Sequence, residues 1–147
     1  MKILVTGSRG MLGQDLCPIL DDCGYEVIET SRSDFDITDE EAAKSFIEKE
    51  KPDCIIHCAA YTNVDKAEED PLCELVNANG TENIAKICKK NDITLVYIST
   101  DYVFDGTKKT PYTAGDSTNP INAYGVSKLH GDCLLYTSPS PRDISGS

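Results

Sequence analysis

The sequence predicts an α/β fold, a doubly wound parallel sheet that carries helices on both faces. Short apolar segments rich in β-branched residues alternate with longer segments of helical periodicity, and this alternation is typical of parallel sheets. A glycine-rich turn joins the first strand directly to the first helix. The 147 residues suffice for one domain with a buried core.

Each element of this fold has a local signal. Apolar runs predict strands at residues 2–6, 25–29, 53–57 and 94–99. Helical patterns predict helices at residues 11–22, 40–50, 71–90 and from 122 onward. The second helix has an N-terminal cap in the run from Thr38 to Glu41. Residues 105–119, rich in Gly, Pro, Thr and Lys, are predicted to form a loop.

The first helix combines an amphipathic pattern with a helix-breaking residue. Its apolar residues predict one buried face, formed by Met11, Leu12, Leu16, Ile19 and Leu20. Pro18 lacks the N–H group that a helix interior requires. We therefore expect a kink at Pro18 or a late break in the helix.

Charge and cysteine content argue against several classes of function. The formal net charge of -11 is spread along the chain, whereas nucleic acids and anionic membranes require a basic face. No apolar run has membrane-spanning length and the first residues are no signal peptide, so we expect a cytoplasmic protein. The seven cysteines lack the spacing of zinc ligands, so we expect reduced core thiols and no metal site.

The glycine-rich turn reads Gly7-Ser8-Arg9-Gly10-Met11-Leu12-Gly13. The first glycine permits a tight turn, the second lets backbone approach a pyrophosphate, and the third allows close helix packing. The N–H groups at the following helix N-terminus would bind the phosphates. We therefore predict a Rossmann-like fold and dinucleotide-binding roles for Gly7, Arg9, Gly10, Met11, Leu12 and Gly13.

The ends of the second and third strands bear on the cofactor. An acidic residue after the second strand favours NAD, whereas a basic residue accommodates the 2'-phosphate of NADP. Arg32 follows that strand and Arg9 lies in the glycine turn, so NADPH is predicted, with NADH left open. Small residues after the third strand leave room for a dinucleotide, which makes Ala59, Ala60 and Tyr61 cofactor candidates. We expect His57, inside an apolar strand, to be a core residue.

A second motif, Tyr124-Gly125-Val126-Ser127-Lys128, opens the last predicted helix. Residues four apart share a helix face, so the ammonium of Lys128 is expected to lower the pKa of the Tyr124 phenol. Tyr124 would then serve as a proton donor or acceptor. A hydroxyl at the end of the fourth strand, from Thr100 or Ser99, is expected to hold the substrate carbonyl.

Longer strings make the resemblance more specific. The Gly-x2-Gly-x2-Gly spacing resembles extended short-chain dehydrogenases/reductases. The run Ile98-Ser99-Thr100-Asp101-Tyr102-Val103-Phe104-Asp105-Gly106 and the run Ala59-Ala60-Tyr61-Thr62-Asn63-Val64-Asp65-Lys66-Ala67-Glu68 resemble the dTDP-4-dehydrorhamnose reductase family. So does Pro120-Ile121-Asn122-Ala123-Tyr124-Gly125-Val126-Ser127-Lys128-Leu129. The resemblance extends over residues 1–132.

This resemblance implies reduction of the 4-keto group of dTDP-4-dehydro-L-rhamnose with NADPH. It implies that Tyr124 protonates the developing alkoxide, that Lys128 also holds the nicotinamide ribose, and that Thr100 binds the carbonyl oxygen. Asp36 and Ile37 would contact the adenine, although Asp36 also suits a position just before a helix cap. A nucleotide sugar is the implied partner, and a homodimer is an open possibility for the full-length form.

The last residues have a different origin in our interpretation. Residues 133–143 resemble translated sequencing-adapter DNA, and the composition changes abruptly there. We therefore expect residues 133–147 not to be native. Residues 1–132 would then be an incomplete NAD(P)-binding domain that stops before the C-terminal substrate region, and the activity would belong to the longer parent protein.

Two alternatives remain open at this point. One is a related reductase or epimerase that acts on another nucleotide sugar. The other is a non-catalytic regulatory subunit that retains the dinucleotide fold. The presence of Thr100, Tyr124 and Lys128 together favours an enzyme.

Overall fold

Four parallel strands form the centre of the chain. The computed structural model describes residues 1–137. In sheet order β2-β1-β3-β4, the strands are β1 (Lys2–Thr6), β2 (Glu26–Glu29), β3 (Cys54–His57) and β4 (Thr94–Tyr97). The chain runs outward from β1 to β2 and then crosses back to β3, so the strand order reverses between β1 and β3. Open α/β sheets bind ligands at such a switch point.

The predicted helices occur in the predicted order, and a short helix before residue 71 and a 3-10 turn after β4 are added. They are α1 (Met11–Asp22), α2 (Glu40–Glu50), α3 (Val64–Ala67), α4 (Leu72–Glu74), α5 (Thr81–Lys90) and α6 (Ala123–Thr137). A π-helical segment (Leu75–Gly80) joins α4 to α5, and a 3-10 turn (Asp101–Val103) follows β4. Within the described residues, none of these helices is both long and apolar enough to cross a membrane.

Alternate strand residues separate the core into two layers. Leu4 and Ile55 pack with α2 and α5 on one face of the sheet, whereas Ile3 and Val5 pack with α1 on the other. This alternation follows from the two-residue repeat of a strand. β4 lies at the edge of the described sheet, and its Val96 remains 42% exposed.

The buried face of α1 differs from the predicted one. Met11 is 92%, Leu12 45% and Ile19 59% exposed, so the predicted apolar face is wrong at these residues. It is confirmed at Leu16 and Leu20, which pack against the core. The helix buries Gly13 and Cys17, with Leu16 and Leu20 packed beside them. Gly13 sets this rotation, because a Cβ atom there would lie 2.5 Å from the Gly7 carbonyl oxygen.

Pro18 lies inside α1 and does not end the helix. The predicted bounds of the helix are confirmed, because it continues through Pro18 to Asp22. Of the two alternatives, a kink or a late break, the late break is therefore wrong. Pro18 lies on the exposed side of the helix, where its ring does not disturb packing against the sheet. The cap of α2 is confirmed, because the Asp39 side chain accepts a hydrogen bond from the Ala42 N–H at 3.1 Å.

The segment predicted as one helix over residues 71–90 is less regular than expected. Its middle is π-helical, and the short α3 before it was missed. The π-helical segment contains Asn77, which is 1% exposed. π-Helical turns are rare and frequently occur at functional sites, so this irregularity draws attention to Asn77.

The adapter interpretation of residues 133–147 stays a prediction. Helix α6 continues to Thr137 and so includes residues 133–137 of that segment. The remainder of the proposed adapter segment, residues 138–147, lies outside the described residues.

The close contact at Gly13 yields the first testable prediction. Gly13→Ala should destabilise the chain by roughly 1–2 kcal/mol, because the clash with backbone outweighs the gain in helix propensity. Urea unfolding followed by circular dichroism measures this difference. Gly115→Ala is the matched control, since nothing lies within 4 Å of a Cβ atom there. Equal stability of the two variants would contradict the prediction.

Candidate active site

A cleft of about 730 Å³ opens along the carboxyl ends of the strands. The glycine turn, the segments after β2 and β3, and the first turns of α6 form its walls. Its position is the switch point between β1 and β3, where the fold leaves a crevice. All residues predicted to bind the cofactor lie along this cleft, from Gly7 at one wall to Lys128 at the other.

The glycine turn is shaped by its contact with the end of β3. Gly7 has φ +64°, and a Cβ atom there would lie 2.7 Å from the Ala59 nitrogen. Helix α1 starts at Met11 without a side-chain cap, and the first N–H groups of a helix have no partner within it. They are therefore available for an anion. These features fit the pyrophosphate of a dinucleotide.

The segment after β2 brings polar and basic groups to one end of the cleft. The Arg32 side chain is 76% exposed and its guanidinium lies 3.8 Å from the Asp36 carboxylate. The Ser31 and Ser33 hydroxyls lie 2.8 Å apart. Hydrogen bonds from Thr38 lower the pKa of Asp36, with a smaller effect from Arg32. Asp36 therefore both orders this turn and lines the cleft.

The segment after β3 is fixed by hydrogen bonds to its backbone. The Ala59 N–H donates to the Thr6 hydroxyl at 3.1 Å. The Tyr61 N–H donates to Asn77 Oδ1 at 2.8 Å, and Asn77 Nδ2 donates back to the Tyr61 carbonyl at 3.1 Å. The same Nδ2 lies 3.0 Å from the Ser127 hydroxyl. Asn77 thereby connects the floor of the cleft to α6.

Tyr124 and Thr100 are brought together at the other end of the cleft. Thr100 caps the 3-10 turn after β4 by accepting a hydrogen bond from the Tyr102 N–H at 3.3 Å. Its hydroxyl donates to Asp101 Oδ1 at 3.5 Å and also lies near the Tyr124 phenol, whose pKa it acts to lower. The Tyr102 ring packs edge-on against Tyr124, with ring centres 5.5 Å apart. Tyr124 and Ser99 line the cleft, whereas Thr100 is not among its lining residues.

The expected effect of Lys128 on Tyr124 is not found in this arrangement. Burial raises the pKa of Tyr124, while the hydrogen bond with Thr100 opposes this change. The Lys128 ammonium instead donates to the Ile98 carbonyl at 2.8 Å and lies over the Tyr97 ring. Its charge is therefore directed toward β4 rather than toward the phenol.

His57 is the buried core residue that the sequence predicted. It is 2% exposed. Its Nδ1 lies 2.8 Å from the Thr6 hydroxyl and its Nε2 lies 3.2 Å from the Thr81 hydroxyl. Both ring nitrogens are thus satisfied, which explains a histidine inside the sheet.

Several residues of the cleft have no strong sequence signal. They are Thr30, Ser31, Ser33, Phe35, Cys58, Leu72, Val76 and Ile98. The serines flank Arg32, so their position after β2 was the available indication. Leu72 and Val76 come from the irregular helical region, whose course the sequence did not reveal. The binding roles assigned to the predicted residues stay predictions.

This arrangement defines a class of protein. A glycine turn facing a switch-point cleft, with a Tyr-x3-Lys helix on the opposite wall, is that of short-chain dehydrogenases/reductases that bind a dinucleotide. Residues 1–139 match the family described as RmlD substrate binding domain. The chain belongs to this family, whose characterised members include dTDP-4-dehydrorhamnose reductases.

Individual relatives agree with this assignment. The chain is 44% identical to dTDP-4-dehydrorhamnose reductase of Mycolicibacterium smegmatis over 133 residues, which are 89% of this chain and 40% of that protein. The crystal structure of the reductase of Clostridium acetobutylicum is similar with TM-score 0.92 and 43% identity, and the match covers 97% of this chain and 51% of that one. The chain thus spans about half the length of these relatives.

Structural relatives are known with both dinucleotides. The reductase of Bacillus anthracis in complex with NADP is similar with TM-score 0.90 and 36% identity, over 93% of this chain and 49% of that one. The Bordetella bronchiseptica enzyme WbmG in complex with NAD and UDP has TM-score 0.81 and 25% identity, over 95% of this chain and 50% of that one.

The environment of His57 predicts a pH dependence of stability. Burial, together with the charge of Lys128, lowers the pKa of His57 to about 3 from its ordinary value of 6.5. Between pH 3 and 6.5 the unfolded chain therefore binds more protons at His57 than the folded chain does. The free energy of unfolding is thus not reduced by His57 above pH 6.5 and decreases as the pH falls below that value.

We therefore expect His57→Gln to reduce the loss of stability on acidification. Urea unfolding of wild type and variant at pH 7 and about pH 5 measures the difference. The chain has two histidines, and His130→Gln is the comparison, because loss of the exposed His130–Glu74 pair should not lessen the sensitivity to acid. If both variants show the wild-type slope with pH, the buried neutral state of His57 is wrong.

Proposed function

We propose that this chain provides the cofactor-binding half of an NADPH-dependent reductase that converts dTDP-4-dehydro-L-rhamnose to dTDP-L-rhamnose. The observation that supports this most is the placement of Tyr124 across one cleft from the glycine turn, with the Thr100 hydroxyl near the phenol. Family membership supports the same reaction class. The sugar itself rests on the names of the relatives at about half of their length.

The residues of the cleft suit distinct parts of this reaction. When bound, NADPH supplies the hydride. The N-terminus of α1 binds the pyrophosphate, and Lys128 at the opposite wall binds the nicotinamide ribose. Thr100 donates a hydrogen bond to the carbonyl oxygen, and Tyr124 gives that oxygen its proton as negative charge develops. Because burial raises the pKa of Tyr124, the phenol is protonated at neutral pH, as a proton donor must be.

The choice of NADPH follows from the segment after β2. A 2'-phosphate carries additional negative charge and favours hydroxyl and guanidinium partners. Ser31, Arg32 and Ser33 supply such groups beside the cleft, and Arg9 lines it from the glycine turn. NADH binds at the same place without these contacts, so we propose weaker binding of NADH.

We propose further that the native polypeptide continues beyond residue 132 with a substrate-binding half. The full-length protein would act in the cytoplasm on a nucleotide sugar, and a homodimer is its proposed assembly. Sequencing the source DNA across the codons for Asp132 and Cys133 tests this proposal. We expect an open reading frame of about the length missing relative to the relatives. A stop codon directly after Ser147 would contradict both the adapter interpretation and the proposed second half.

A substitution at Tyr124 tests the catalytic assignment. Tyr124→Phe in the full-length protein should lower the turnover number by about a hundredfold or more, because the proton donor is lost. Turnover is followed by the loss of NADPH absorbance with dTDP-4-dehydro-L-rhamnose as the substrate. NADPH affinity, measured by fluorescence titration, should change little and should exceed that for NADH.

Tyr25→Phe is the matched control, since Tyr25 lies before β2 and outside the cleft. It should retain wild-type turnover. Wild-type turnover in Tyr124→Phe would contradict the mechanism, and turnover with a different keto sugar alone would contradict the substrate.

A further inference from the structure

The ammonium of Lys128 lies in a place with little access to water. Lys128 is 5% exposed. Its Nζ donates to the Ile98 carbonyl at 2.8 Å and lies 4.6 Å from the centre of the Tyr97 ring. Both partners are uncharged, and burial lowers the pKa of Lys128, since a buried cation loses hydration. A nearby negative charge would oppose this effect and favour the protonated ammonium.

Asp132 carries a carboxylate on the same side of α6. It follows Lys128 by one helical turn, and residues four apart lie on one face. The Ser99 hydroxyl donates to Asp132 Oδ2 at 2.7 Å. Ser99 directly follows Ile98, whose carbonyl holds the ammonium. Adjacent residues of the segment after β4 thus fix both the cation and the anion.

We infer that Asp132 is a positioning residue, whose carboxylate one helical turn from Lys128 favours the charged form of the ammonium that Ile98 holds, and that Ser99 fixes this carboxylate. For catalysis the inference rests on the proposed function, because Lys128 contributes to reduction only when the cleft binds a dinucleotide. The inference also assigns the Ser99 hydroxyl to Asp132 rather than to the substrate carbonyl. Of the two hydroxyl groups predicted to hold that carbonyl, Thr100 is then the one that remains.

Titratable groups on the neighbouring strands do not replace this charge. From β3, His57 is neutral above a pKa of about 3, and burial raises the pKa of the Cys58 thiol, with Lys128 opposing. From β4, burial raises the pKa of Tyr97. On α6 itself, burial raises the pKa of Tyr124. All four groups are therefore uncharged at neutral pH.

Acidic groups on the other elements near α6 are engaged elsewhere. Asp101 in the 3-10 turn acts on Tyr124 rather than Lys128. The Glu74 carboxylate of α4 lies 2.5 Å from His130 Nδ1. The charge of the Asp132 carboxylate opposes the lowering of the Lys128 pKa by burial. Conversely, burial raises the pKa of Asp132, and Ser99 and Lys128 oppose this change.

The sign of the expected effect follows from this pairing. Removal of the carboxylate leaves burial unopposed, so the pKa of Lys128 falls further. The ammonium then loses its proton at a lower pH than in the wild type. A residue that only packs against α6 would not move this titration when replaced by a side chain of nearly the same shape.

The experiment measures the titration of Lys128 directly in the full-length protein without cofactor. Lysine labelled with ¹³C at Cε is titrated by NMR, and the Lys128 signal is assigned by its absence in Lys128→Met. We expect a lower midpoint for Lys128 in Asp132→Asn and a midpoint near wild type in Asp132→Glu. Ser99→Ala should shift the midpoint in the same direction by a smaller amount.

Asp22→Asn is the matched control, because it removes one carboxylate at the C-terminal end of α1. It should leave the Lys128 midpoint unchanged. An Asp132→Asn midpoint equal to that of Asp22→Asn would overturn the inference. If Asp132→Asn does not fold, Ser99→Ala and Asp132→Glu decide, and an unshifted midpoint in Ser99→Ala then overturns the proposed pairing.

A second measurement separates this inference from the proposed function. NADPH affinity is measured against pH for wild type and Asp132→Asn, and its decrease on the alkaline side should begin at a lower pH in the variant. If neither protein binds NADPH while the Lys128 midpoint still shifts, the proposed function fails and the pairing stands. If NADPH binds and the midpoint does not shift, the pairing fails alone.

Discussion

The close approach of the glycine turn to the end of β3 is the constraint on which the site depends. Gly7 passes so near Ala59 that no side chain fits between them. Gly13 brings α1 equally close to the same turn. These two contacts direct the N-terminus of α1 toward the switch point of the sheet, so the cleft and its anion-binding N–H groups arise together.

A single buried amide connects the two halves of this site. Asn77 binds the Tyr61 backbone through both its oxygen and its nitrogen and reaches Ser127, the residue before Lys128. Because an unpaired buried amide is costly, any shift of α6 relative to the cleft floor would break several bonds at once. The π-helical segment is what places Asn77 at this junction.

The sequence predicted the strands, their parallel arrangement and the walls of the cleft, because these depend on local apolar runs and glycine spacing. It failed where long-range contacts decide. The rotation of α1 follows from the packing of Gly13 on the Gly7 backbone and not from the apolar pattern of the helix. Likewise, the direction of the Lys128 ammonium depends on Ile98 and Tyr97, which are distant in sequence.

The position of β4 at the border of the described sheet affects how this polypeptide behaves at high concentration. Within residues 1–137, β4 pairs with β3 alone. Val96 in this strand is 42% exposed, and Ile98 just after it is 36% exposed. Apolar strands at a sheet border can add strands from other molecules. Self-association and loss of solubility are therefore expected to originate at β4, and a lysine at Val96 would be the substitution that protects against them.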